Sequence, residues 1–126
     1  MCGILGMMGK QDVDYVRKLS KRMSHRGPDE SGFMVCDNGS VLTHERLSII
    51  DLKTGRQPIR GTGSAYVVHN GEIYNHNELR NNELSHHSFR TTCDSEVIVH
   101  LYEEYGFDFC NMLDGVFAFI DRKSVV

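Results

Sequence analysis

Residues 2–9 read Cys-Gly-Ile-Leu-Gly-Met-Met-Gly, an apolar, glycine-rich run placed at the very start of the chain. Such a run suits a buried strand whose backbone is closely approached by another element. A fold that begins inside its own core must be assembled around its first residues. At 126 residues the chain has one domain's length, and a compact domain of that size buries roughly two-thirds of its unfolded surface. A core can therefore form without staples.

The remaining elements follow from period and punctuation. Asp12 can cap a helix over 12–25, with Val13, Val16, Leu19 and Met23 at helical spacing and Gly27-Pro28 as the stop. The segments 32–36 and 40–50 flank Asp37-Asn38-Gly39 and predict an antiparallel hairpin. The β-forming run 65–70 leads to Asn70-Gly71, read as a sharp bend at a strand end. Asn75 and Glu78 have capping-box spacing for a short helix to about Glu83. Asp94 precedes a second helix whose Val97, Ile98, Leu101, Tyr102 and Tyr105 share a face before Gly106. The run 116–121 closes the pattern as another buried strand. Strand groups alternating with helices, without regular βαβ repeats, give an α+β layered fold. There is no internal repeat or linker, so residues 1–126 read as one domain. A terminal strand with nothing after it to pair with reads as an interrupted one.

Composition narrows the function classes. Apolar residues make up 40% and charged residues 25%, with a net charge of -3 and 14 Lys and Arg spread thinly. No basic stripe is present for phosphates, so no nucleic-acid partner is expected. The apolar runs fall far short of the ~20 residues that span a bilayer, so no membrane partner is expected either. With no signal peptide before Cys2, the expected location is cytoplasmic. Cys2, Cys36, Cys93 and Cys110 are then reduced thiols rather than a disulfide framework.

Cys2 carries the chemistry. A cytosolic aminopeptidase removes an initiator Met when the next side chain is small, leaving thiol and amine on one residue. An α-amino group has an ordinary pKa of ~7.7–8.0 and can take the thiol proton, as His does elsewhere. Met-Cys at a chain start reads equally well as a packing cysteine when taken alone. The ordered blocks MCGILG, SHRGPDESG (24–32), HERLSIID (44–51), GRQPI (55–59), HNGEIYNH (69–76), CDSEVIVHLYEEYG (93–106) and MLDGVFAF (112–119) decide between the two. Together they resemble the N-terminal glutaminase domain of glutamine-dependent asparagine synthetases, the class II amidotransferases with an N-terminal nucleophile. RGPD with NGEIYN is similar to the asparagine synthetase branch rather than to other amidotransferases.

That resemblance implies a four-layer αββα sandwich of antiparallel sheets, incomplete at its C-terminus. It implies hydrolysis of L-glutamine to glutamate and ammonia through a γ-glutamyl thioester on Cys2. Asn70 and Gly71 match the oxyanion donors, Arg46 the carboxylate clamp, and Asp94 with Glu72 the partners of the substrate ammonium. Each has a plainer reading: an Asn-Gly turn, a surface strand arginine and a helix cap. Arg26 in the RGPD turn either supports the loop near Cys2 or stays solvated. Backbone at Ile49 or Ile50 is a further substrate contact by resemblance.

No cofactor is expected in this domain; ATP and Mg belong to a synthetase domain, a partner in cis or in trans whose pyrophosphate-binding loop this chain lacks. A homodimer is compatible with the sequence. His25, His44, His69, His76, His86, His87 and His100 lack HExxH or Cys/His ligand spacing, so no metal is expected. Tyr102, Tyr105 and Phe107 read as core. The alternative to an enzyme is an inactive fragment that binds a partner synthetase.

Overall fold

The computed structural model describes residues 1–48 and 54–123. Its elements run β1 (Gly3–Met7), α1 (Val13–Lys21), β2 (Glu30–Val35), β3 (Val41–Arg46), β4 (Ile59–Arg60), β5 (Ala65–Ile73), α2 (His76–Asn81), α3 (Glu96–Tyr105), a 3-10 segment (Gly106–Met112) and β6 (Gly115–Lys123). The strands make two three-stranded antiparallel sheets, ordered β1-β3-β2 and β4-β5-β6. β1 and β3 face β5, α1 lies on β1 and β3, and α3 packs on β4 and β5. The layers are helix, sheet, sheet, helix, the α+β sandwich expected from the sequence. None of the described helices is long and apolar enough to cross a membrane.

Strand alternation explains how β3 holds both faces. Thr43 and Glu45 point to α1, where the hydroxyl of Ser20 lies 2.8 Å from Thr43 Oγ1 and donates to Glu45 Oε1 at 2.6 Å. Ser31 of β2 donates to the other oxygen of Glu45 at 2.6 Å. His44 points the opposite way and meets the His69 carbonyl of β5 at 3.2 Å. Close approach to β1 is real on both faces: a Cβ at Gly3 would lie 3.0 Å from Met23 Cβ, and one at Gly6 would lie 3.0 Å from Ile120. The strand is nonetheless only half-buried beyond Gly3, because among the described residues β3 is its one neighbour in the sheet.

The hairpin and the first cap form as expected. Val35 pairs with Val41 around a turn in which Gly39 has φ +84°, and Asp12 Oδ1 accepts from Asp14 N and Tyr15 N. Regular helix ends earlier than expected, at Lys21, and continues as turns toward Gly27. The far end of the expected 40–50 strand, including Ile49 and Ile50, lies outside the described residues.

Two expected caps do other work. The side chain of Asn75 makes no helix cap; it donates to Met112 O at 2.9 Å and accepts from Asp114 N at 3.0 Å, tying α2 to the start of β6. Asp94 is not the cap of α3, which begins after Ser95; its Oδ2 accepts the Ile73 amide of β5 at 2.8 Å. Glu96, fully buried, instead reaches back to the amides of Arg90 and Thr91 at 2.9 and 2.8 Å. Burial would raise its carboxyl, but hydrogen bonds from His100, Arg90 and Thr91 outweigh it and hold the group at about 2.

Further departures follow from position. α3 is buried on all sides from Glu96 to Leu101, whereas Tyr105 is 42% and Phe107 84% exposed, because the helix and its 3-10 continuation emerge from the core there. β6 is not the buried strand expected: Val116 and Ala118 are exposed, since β5 is its one neighbour among the described residues.

Asp121 of β6 sits opposite Val67, with both carboxyl oxygens buried and without a hydrogen-bond partner. Burial pushes its carboxyl up to about 7; the adjacent Arg122 amide offsets part of this, and the charge on Glu103 adds to it. A carboxyl raised on folding binds more protons in the folded state, so its contribution favours folding at low pH and is lost as pH rises from about 4 to about 7. Asp121→Asn removes that dependence. Urea unfolding at pH 5 and pH 8 should show the variant gaining clearly more stability over the parent at pH 8 than at pH 5; an equal difference at both pH values would refute this placement of the proton.

Candidate active site

The antiparallel register Gly3↔Glu45 brings the residue before β1 alongside the residues that follow Glu45. Cys2 Sγ accepts the Leu47 amide at 3.3 Å and lies 3.7 Å from the Leu47 carbonyl oxygen, so backbone at the end of β3 holds the thiol. Arg26 Nε donates to the Cys2 carbonyl at 3.3 Å. The loop carrying Arg26 is fixed in turn, with Asp29 N bonded to Arg46 O at 2.9 Å and Ser48 N to Asp29 Oδ2 at 2.8 Å. Gly27 is required here, because a Cβ would fall 2.0 Å from the Glu45 carbonyl oxygen.

Cys2 opens onto a cleft of ≈ 250 Å³ between the sheets, lined also by Arg46, Asn70, Gly71, Glu72 and Asp94. All six residues expected from the sequence to act on substrate therefore share one wall or another of one cavity, and Arg26 lies directly behind the first. Met1, 65% exposed, lies at the same cleft.

Arg46 is not a surface residue: it is 5% exposed and its Nη1 pairs with Glu30 Oε2 at 3.0 Å. Arg56 Nε pairs with Glu30 Oε1 at 2.9 Å, so Glu30 sits between two guanidinium groups. Asn70 and Gly71 do not form a bend at a strand end; β5 continues through them to Ile73, paired Asn70↔Ala118 and Gly71↔Phe117 with β6. Gly71 has φ +134°, and a Cβ there would lie 2.0 Å from the Val116 carbonyl oxygen. The Asn-Gly pair thus combines strand register with a backbone state that L side chains avoid. Asn70 Oδ1 is buried without a hydrogen-bond partner. Glu72 is exposed at the rim, and Asp94 is 5% exposed.

Sequence reasoning gave no site role to His44, Gln57, His69 and Ser95, which also line the cleft. Gln57 Oε1 accepts the His69 amide at 2.6 Å, and Gln57 Nε2 donates to Ser95 Oγ at 3.2 Å. Ser95 Oγ is 2.7 Å from His69 Nδ1. With the hydroxyl proton turned to Nδ1, the ring carries its own proton on Nε2, which is buried without a partner. Burial lowers the pKa of His69 against the opposing charge of Asp94, and lowers His44 to about 4. Both rings are neutral in the folded protein at neutral pH. The signal for His69 was adjacency to Asn70, but no pattern in the chain shows that Gln57 and Ser95 meet it.

Among the described residues no three ligating side chains converge in this cleft; the groups that do so lie elsewhere, around His87.

A half-buried thiol at residue 2 shares one cleft with an asparagine and an arginine from facing sheets of an αββα sandwich, an arrangement suited to an amidotransferase. The chain belongs to the glutamine amidotransferase domain family, whose model matches residues 1–125. It is 50% identical over 126 residues to asparagine synthetase [glutamine-hydrolyzing] 2 of Oryza sativa subsp. japonica, covering 95% of this chain and 21% of that protein. It is also 50% identical over 127 residues, with the same coverage, to asparagine synthetase [glutamine-hydrolyzing] 1 of Arabidopsis thaliana and to the asparagine synthetase of Asparagus officinalis. The chain thus spans about a fifth of the length of these relatives.

Gly71→Ala should lose both its backbone state and its fit against Val116. The expected cost is about 1–3 kcal/mol for strain alone, with the clash adding to it, read as a lowered urea midpoint. An alanine variant as stable as the parent would show that the β5–β6 backbone does not need glycine there.

Proposed function

We propose that the chain hydrolyses the side-chain amide of L-glutamine to glutamate and ammonia, and that the ammonia serves asparagine formation by a synthetase domain in cis or in trans. The observation that carries this reading is the convergence of Cys2, Asn70, Gly71, Arg46, Glu72 and Asp94 on one cleft. Cytoplasmic location belongs to the same proposal.

With Met1 removed, the amine of Cys2 takes the thiol proton and the thiolate attacks the amide carbon of glutamine. The tetrahedral oxyanion is received by the Asn70 side-chain amide and the Gly71 N–H, one such donor contributing ~2.7–4 kcal/mol in a water-poor site. Collapse breaks the C–N bond and the Cys2 ammonium returns its proton to the leaving nitrogen, releasing ammonia and leaving a γ-glutamyl thioester. Water, deprotonated by the same amine, attacks the thioester carbon, and glutamate departs as the thiol is restored. Arg46 offers its planar fork to the substrate α-carboxylate, oriented by Glu30. Asp94 and Glu72 supply negative charge for the α-ammonium. These steps use no metal or cofactor; ATP and Mg enter only at the synthetase domain.

Met1 at the cleft favours a second reading for the unprocessed chain. While Met1 is attached, the nitrogen of Cys2 is an amide without basicity, and the protein can bind but not turn over.

One experiment separates the two. Intact mass first establishes loss of Met1, and ammonia release from glutamine is then followed by a coupled assay. The processed chain should turn over glutamine, Cys2→Ala should fall to background, and Arg46→Lys should raise KM roughly tenfold or more, about 1.4 kcal/mol of lost binding. Absence of turnover in processed protein, or activity surviving in Cys2→Ala, would exclude the enzymatic reading.

A further inference from the structure

Outside the Cys2 cleft, the described residues bring three imidazoles and two carboxylates together along α3. His86 Nε2 and His87 Nε2 lie 3.3 and 3.2 Å from the same oxygen, Oε2 of Glu104. The His87 ring is 4.9 Å from that of His100, whose Nδ1 is buried and makes no hydrogen bond although Glu103 Oε2 is 3.5 Å away. His87, His100 and Glu103 also place ligand atoms within 4.8 Å of one another. Nothing in the spacing 86, 87, 104 announces this group, because a turn after α2 and the last turn of α3 have to meet before it exists.

The donor atoms converge as an ion requires: one ligand atom each from His86, His87 and Glu104 lie within 4.8 Å of one another, with both imidazole Nε2 atoms 3.3 and 3.2 Å from the same Glu104 oxygen. A tetrahedral zinc with bonds of about 2.0–2.1 Å holds its donor atoms roughly 3.3–3.4 Å apart, close to both. The donor set of two imidazoles and one carboxylate is borderline in softness, suited to zinc-class ions rather than to magnesium or calcium.

We propose that His86, His87 and Glu104 form a binding site for a divalent zinc-class ion, with a fourth position left to water or an outside ligand. The side chains of His86 and Glu104 are 59% and 39% exposed, so the ion loads from solution. The site is anchored at its base: His87 N donates to Leu84 O at 2.9 Å, and Leu84 is fully buried. The bound ion would clamp the turn after α2 to the C-terminal end of α3.

The test uses the full chain carrying Cys2→Ser and Cys110→Ser, which removes the two thiols that are not buried and would compete for the ion. Zinc alone is titrated by calorimetry, and cobalt(II) reports tetrahedral coordination by its visible spectrum. One equivalent should bind, at least tenfold more weakly in His86→Ala and in Glu104→Gln, and at equal zinc concentration the Tm of the parent should rise more than that of either variant. Circular dichroism checks that these two surface changes leave the fold intact. Failure of the parent to bind one equivalent, or unchanged affinity in either variant, overturns the site. The outcome is independent of glutamine turnover.

Discussion

The pairing of β1 with β3 is the constraint on which the rest depends. It sets the depth of the chain start in the sandwich and aligns Cys2 with the backbone of Leu47. Glu45, in the same register, is held by Ser20 from the helix layer and by Ser31 from β2. A buried carboxylate with hydroxyl donors on both oxygens resists sliding, because a one-residue slip would turn it to the opposite face and strand it without partners. The thiol's position is therefore secured by a polar anchor one layer away.

The second sheet contributes the complementary half of the cleft by a different device. β5 carries Asn70 and Gly71 within a continuous ladder, and Asp94 braces that strand from beyond it through the Ile73 amide. Gln57 and Ser95 fix His69 beside them. The facing walls are built from segments distant in sequence, with His44 bonded across the gap to the His69 carbonyl. Rigidity at this scale matters because misplacement by ~1 Å can cost a hundredfold in rate.

Much of the fold was legible in the sequence where one local rule governs one element. Asp12 caps α1, Asn38-Gly39 turns the hairpin, and the apolar glycines of β1 face close neighbours, all as their local chemistry requires. Legibility failed where a side chain had a distant alternative. Asn75 and Asp94 both looked like caps, yet each is recruited by a strand or connection that sequence spacing cannot reveal. Burial of β6 was overestimated because an apolar run reports composition, not whether a neighbour covers it. In the site, the residues given roles share the cleft, whereas Gln57, His69 and Ser95 lie in the same ordered blocks yet were given none, because the bonds that join them depend on tertiary meetings.

The register of β1 against β3 has a consequence for assembly. Among the described residues β1 has β3 as its one neighbour, and the pairing Gly3↔Glu45 joins segments far apart in the chain. Such a pairing has to offset the entropy of closing the long intervening loop, a cost that the local β2–β3 hairpin does not carry. Cys2 meets the Leu47 amide only when that loop has closed. The Cys2 wall of the cleft therefore rests on one long-range contact, and any change that loosens it reaches the thiol first.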